Sequence, residues 1–160
     1  MPRSTVPADF YHADTYAAEA SVGFMMRRVL LSMVQETGRR LEPHGITHAQ
    51  WQPLLKLLLG KASTVAELAR ELEMDPGATT RLLDRLEAKG LCRRIRSATD
   101  RRVVNVELTP EGEQVAQHIP RALSEVMNYH LAGFSKSEWL ALKGYLHRML
   151  DNGEAFRQEP

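Results

Sequence analysis

The chain has 160 residues, 43% hydrophobic and 26% charged, with a formal net charge of +1 at pH 7. That length suits one domain, or one compact domain with a dimerisation layer. A single cysteine excludes an internal disulfide framework, no apolar run approaches a transmembrane span, and the start, MPRSTVPADF, has no signal-peptide core, so a cytoplasmic protein is expected.

The first predicted helix runs from Ala17 to Leu41, with Val22, Met25, Met26, Val29, Leu30, Met33 and Val34 at mixed three- and four-residue steps. That apolar surface is wider than one stripe and implies burial on more than one side. Pro43 and Gly45 end it. A nearly apolar helix follows from Gln50 to Leu59. Next, Thr64 and Glu67 form a capping box at the head of a short helix with Val65, Leu68, Ala69 and Leu72 on one face. Leu72-Glu73-Met74 connects it to a second helix, 76–89. Asp75 caps this helix, Pro76 suits its first position, and Gly90 supplies a left-handed stop.

In the 76–89 helix, Thr79, Leu82, Leu83 and Leu86 share the inner face. Gly77, Thr80, Arg81, Asp84, Arg85 and Ala88 lie outward. Small residues at the N-terminal end and arginines beyond suit a recognition helix, which needs close approach to the major groove and donors for guanine edges or phosphates. The same pattern also suits a plain amphipathic helix with a solvated face. The neighbours favour the first reading. Two short helices and a tight turn make a helix-turn-helix. Leu91 to Arg96 and Val103 to Leu108, joined by Ser97-Ala-Thr-Asp100, then read as a β-hairpin over 91–108. A hairpin tipped with arginine after a reading helix is a wing, and its arginine suits the narrow minor groove. Charge supports this: Arg81 to Arg102 holds eight Lys/Arg and three acids, a net of +5 in a chain of net +1. Such a local patch marks a nucleic-acid binder.

After the wing, Glu111 to Leu131 is a long helix in which Pro120 predicts a kink or break. Ser135 and Glu138 cap a last helix that carries Trp139, Leu140, Leu142, Leu146, Met149 and Leu150. Such apolar terminal helices predict a homodimer, with reading helices on half-sites about one turn apart. The expected fold is mainly α with a small β-hairpin wing (α+β): a dimerisation helix in 11–45, a winged helix-turn-helix in 46–110, and dimerisation helices in 111–152. Both ends, about ten residues each, are expected to fray.

Asp100-Arg-Arg102 followed by Leu108-Thr-Pro-Glu-Gly112 resembles the wing signature of the MarR family of bacterial winged-helix regulators. Thr80-Arg81-Leu-Leu-Asp-Arg85-Leu-Glu-Ala-Lys-Gly90-Leu resembles that family's recognition helix, and Ile46-Thr-x-x-Gln-Trp51 the start of its second helix. The resemblance implies that Arg102 enters the minor groove, held by a salt bridge from Asp100. Thr80, Arg81 and Arg85 would meet phosphates or bases. Gly77 and Ala78 would allow close approach and offer backbone N–H groups to a phosphate. Arg94, Arg96 and Arg101 would be phosphate anchors or solvated charge.

The resemblance further implies release of double-stranded operator DNA by a small effector, an aromatic carboxylate or phenol, lodged between the dimer helices and the winged domain. Candidate lining residues are Tyr16, Phe24 and Arg28 on the first helix, His44 and His48 on the loop after it, and Trp51 and Gln52 opening the second. Trp51 and Phe24 equally suit a core, Arg28 a dimer-interface charge, and the histidines a loop surface. Two other sensing modes stay open. Cys92 could sense redox state if Arg93 and Arg94 lower its pKa. His44 and His48 could bind metal, although Gly45 between them and the lack of further ligands oppose it. A protein-binding winged module is a third alternative. No GxSxG, HExxH, Walker or dinucleotide motif is present, so neither an enzyme nor a cofactor is expected.

Overall fold

A computed structural model describes residues 7–158; the ends expected to fray fall partly outside it, at 1–6 and 159–160. The elements are α1 (Val22–Leu41), α2 (His48–Leu58), α3 (Val65–Glu71), α4 (Pro76–Ala88), β1 (Cys92–Arg96), β2 (Val104–Leu108), α5 (Pro110–His130) and α6 (Lys136–Gln158). The fold is mainly helical with one antiparallel hairpin, as expected, and β1 pairs with β2 from Cys92 opposite Leu108 to Arg96 opposite Val104.

The helix-turn-helix is built as its caps dictate. The Thr64 hydroxyl accepts the Glu67 N–H at 3.1 Å, and the Glu67 carboxylate accepts the Ser63 and Thr64 N–H groups. The turn carries Glu73 in the left-handed region, φ 51°. It is held there because Glu73 N–H donates to the Arg70 carbonyl and Met74 N–H to the Ala69 carbonyl, the Schellman closure of α3. Leu54, Leu68, Leu83, Leu86, Val106, Ala116 and Ile119 form the core beneath the reader.

Several boundaries differ from expectation. α1 begins at Val22, because the Ser21 hydroxyl accepts the Phe24 N–H as an N-cap and turns the preceding segment out of the α-helix. Tyr16 therefore lies before the helix, not on it. α2 begins at His48, because the Gln50 side chain reaches back to the Thr47 N–H. His48 is thus helical. Pro120 does not break α5, which runs unbroken from Pro110 to His130. Ala116, Ile119, Ala122 and Val126 are buried on both sides of it, and this packing outweighs the lost hydrogen bond and ring clash, together about 3 kcal/mol. The hairpin also gains a neighbour: Thr64 bridges Asn105, and Val106 N–H donates to the Ser63 carbonyl.

α6 makes few contacts with the rest of its own chain. Trp139, Leu140, Tyr145, Met149 and Leu150 are exposed along it, as are Val22, Met25, Met26, Val29 and Leu30 along α1. Among the described residues no helix is long and apolar enough to cross a membrane.

Candidate nucleic-acid interface

α4 presents the two faces read from its sequence. Thr79, Leu82, Leu83 and Leu86 are buried; Gly77, Thr80, Arg81, Asp84, Arg85 and Ala88 are exposed. At its N-terminus Asp75 Oδ1 accepts the Ala78 N–H at 2.9 Å. That corrects one expectation: while the cap holds, the Ala78 N–H is committed and not offered to a phosphate. The Thr80 hydroxyl donates to the Pro76 carbonyl at 2.9 Å, which leaves its oxygen lone pairs outward as acceptors.

The wing tip is a closed network. Thr99 and Asp100 N–H groups donate to Ser97 Oγ, Val103 N–H to the Asp100 carbonyl, and Ser97 N–H to the Val103 carbonyl. Asp100 does hold Arg102, but not through its guanidinium. Asp100 Oδ1 accepts the Arg102 backbone N–H at 2.9 Å, and Arg102 makes no ion pair among the described residues. A carboxylate two residues back on a tight turn reaches the amide more directly than the end of a long side chain.

The eight cations of the patch divide into two groups. Lys89 donates to the Gly45 carbonyl at 2.7 Å and to Gln50 Oε1 at 2.8 Å, tying the end of α4 to the turn before α2. Arg93 pairs with Glu107 across the hairpin at 2.9 Å. Arg94 pairs with Asp84 and Glu87 of α4. This corrects the reading of Arg94 as a phosphate anchor or solvated charge, because its guanidinium is occupied within the fold. Arg81, Arg85, Arg96, Arg101 and Arg102 are exposed and make no ion pair among the described residues. The unpaired charge thus sits on the outer face of α4 and on the wing, the two places that duplex binding requires.

The seven residues proposed to line an effector pocket do not converge within one chain. Tyr16 packs near Tyr11, with ring centroids 5.7 Å apart, in the segment before α1. Phe24 is half-buried on α1 and Arg28 is exposed. His44 stacks on His118 of α5 at 4.0 Å. Trp51 packs against the core and donates its Nε1–H to His48 Nδ1 at 3.3 Å. Burial holds His48 below the usual imidazole value. His48 and Gln52 share a cavity of about 340 Å³, whose other wall is Ala78, Arg81 and Arg85 of the reading helix. A second cleft of about 560 Å³ separates α3 and α4 from the wing, between Glu67, Thr80, Arg94 and Arg102.

Neither alternative sensor gains support. Burial pushes the Cys92 thiol up to about 11, with Glu87 adding to the shift, against the lowering expected from the neighbouring arginines. His44 and His48 turn to separate partners, and the described residues contain no cluster of three or more metal-ligating side chains. The residues that sequence reasoning overlooked are Asp84, Glu87, Lys89 and Gln50. The partners that tie them across the fold lie 7 to 44 residues away, so no local spacing announces them.

Comparison with known proteins agrees with this geometry. Residues 46–104 match the MarR family. The HTH-type transcriptional repressor MdtR of Bacillus subtilis is 33% identical over 100 residues, covering 62% of this chain and 64% of that protein. The multiple antibiotic resistance protein MarR of Escherichia coli is 31% identical over 122 residues, covering 73% of this chain and 85% of that protein. The S. aureus MepR–DNA complex superposes with a TM-score of 0.77 at 26% identity, covering 82% of this chain and 97% of that one. A capped helix-turn-helix, an arginine-bearing wing and these similarities lead to one conclusion: the chain belongs to the MarR family of DNA-binding transcriptional regulators, and is not an enzyme.

Proposed function

We propose that this protein is a homodimeric repressor that holds a pseudo-palindromic operator and releases it when a small aromatic carboxylate or phenol binds. The observation that carries the DNA reading is the division of the basic patch. Five arginines, Arg81, Arg85, Arg96, Arg101 and Arg102, stay unpaired among the described residues and face outward. Arg81 and Arg85 enter the major groove with Thr80 and Gly77; Arg102 enters the minor groove; Arg96 and Arg101 anchor phosphates.

The dimer reading rests on the exposed apolar side chains of α1 and α6. Apolar faces this extensive on a monomer mark an interaction surface. A second copy covers them through the segments 11–45 and 111–152, leaving 46–110 to hold DNA. The protein acts in the cytoplasm, where its operator is.

The effector reading rests on the cavity shared by His48, Gln52, Arg81 and Arg85. An anion there competes for the arginines that read DNA, so release needs no long-range relay.

Fluorescence anisotropy with the duplex upstream of the protein's own gene tests the proposal. Affinity should fall steeply as salt rises, sedimentation should show a dimer, and an aromatic acid that raises the thermal midpoint should also lower DNA affinity. Salt-independent binding, or a monomer bound to operator at full affinity, contradicts it.

A further inference from the structure

Two acids of α4 lie close to DNA in this reading, Asp84 on the exposed face and Glu87 half-buried at its edge. Carboxylates facing phosphates oppose binding, and simple Coulomb reasoning says that removing either should tighten it. Their contacts point the other way. Glu87 Oε1 accepts the backbone N–H of Arg94 at 2.7 Å, and Glu87 Oε2 accepts Arg94 Nε at 2.9 Å. Asp84 accepts the same guanidinium. One carboxylate therefore grips both the main chain and the side chain of the third residue of β1, while a second closes the fork. The register carries the grip across the hairpin, since Arg94 lies opposite Val106 and Arg96 opposite Val104, at the root of the turn that bears Arg102.

We propose that Glu87 is a positioning residue for the wing: with Arg94 and Asp84 it clamps β1 to the reading helix, so that Arg102 meets the minor groove at a fixed distance from Arg81 and Arg85. Neither Glu87 nor Arg94 touches DNA in this arrangement. Two grips on one residue, a charge-assisted hydrogen bond from its amide and a guanidinium fork, resist both sliding and rotation of the strand. The proposal rests on the assignment of α4 and the wing to DNA.

A double-mutant cycle on the full-length protein tests it, with operator affinity as the readout and thermal midpoints confirming the fold of each variant. Arg102→Ala should weaken operator binding. Glu87→Ala should weaken it too, on the order of tenfold, the scale of coupling within one network. In the Arg102→Ala background, Glu87→Ala should change affinity by no more than about twofold, because the arginine it positions is gone. Glu87→Gln retains an oxygen for the Arg94 amide, so its affinity should lie closer to wild type than that of Glu87→Ala. Tighter or unchanged binding by Glu87→Ala overturns the proposal, as does a full additive loss in the double variant. If Arg102→Ala alone leaves affinity unchanged, the wing assignment itself fails, and the proposal with it.

Discussion

Gly112, near the start of α5, lies against the main-chain carbonyl of Leu91, so that a Cβ at Gly112 would overlap the carbonyl oxygen. The Thr109 N–H donates to that oxygen at 3.1 Å, and the Thr109 hydroxyl donates to the Gly90 carbonyl. The helix that leaves the wing is thus seated on the exit of the reading helix. Thr-Pro-Glu-Gly is a docking sequence: threonine caps, proline starts the helix, and glycine clears the contact.

Gly112→Ala therefore has opposing effects. Helix propensity alone favours alanine by about 1 kcal/mol. The overlap with a main-chain atom, which has no rotamer to yield, should dominate, with a net loss of about 1–3 kcal/mol. Urea denaturation reads the sign directly, and a stabilised variant would show that α5 can shift off Leu91 freely.

At the wing tip, Asp100 can be separated from Arg102. Arg102→Ala should lower operator affinity and reduce the salt slope by about one, with the sedimentation of the dimer unchanged. Because Asp100 holds the Arg102 amide, Asp100→Asn keeps an oxygen acceptor and should bind close to wild type, whereas Asp100→Ala should bind more weakly. Equal losses in both Asp100 variants would restore a salt bridge to the guanidinium.

Arg81 and Arg85 are the candidates for base reading. Replacing either with alanine should cost roughly 1–3 kcal/mol on operator if it contacts a guanine bidentately, and much less on random duplex. An equal loss on both duplexes would reassign that arginine to a phosphate.

Cys92 should be inert. With its thiol pushed up to about 11, the native protein at pH 8 should resist iodoacetamide, and labelling should appear only on unfolding. Rapid labelling of folded protein, or operator release by mild peroxide, would reopen redox sensing.

Glu87 gives the fold an acid-sensitive joint. Hydrogen bonding from the Arg94 guanidinium holds its carboxyl below the usual 4.5. A carboxyl depressed in the folded state stabilises above its unfolded pKa and loses that contribution as pH falls through its folded value. Wild type should therefore exceed Glu87→Gln in urea midpoint at pH 7, and the gap should close as pH drops below 4.5. Its side chain is 30% exposed, so solvent screening keeps the gap small. A gap undiminished at pH 3 would remove the ion pair as its cause.

The helix-turn-helix and the wing are largely legible in the sequence. Caps at Thr64 and Asp75, the stop at Gly90 and the alternation through Val104, Val106 and Leu108 are local signals, each read within one turn or one strand. What escaped was held by distant partners. Lys89 looked like one more cation of the patch, and only the approach of Gly45 and Gln50 shows it committed elsewhere. Arg94 escaped for the same reason. Tyr16 reads as part of the first helix because the apolar pattern does not reveal that Ser21 caps it. Pro120 shows the converse: a strong local breaker loses to the burial of Ala116, Ile119 and Ala122.

The last helix has a consequence for how the regulator behaves as its quantity changes. With Leu140, Tyr145, Met149 and Leu150 exposed, α6 finds its core in another copy on the dimer reading, and the stability of the ends becomes a function of protomer concentration. A cell that makes less of the protein does more than leave operators empty: it also loosens the ends of each molecule that remains.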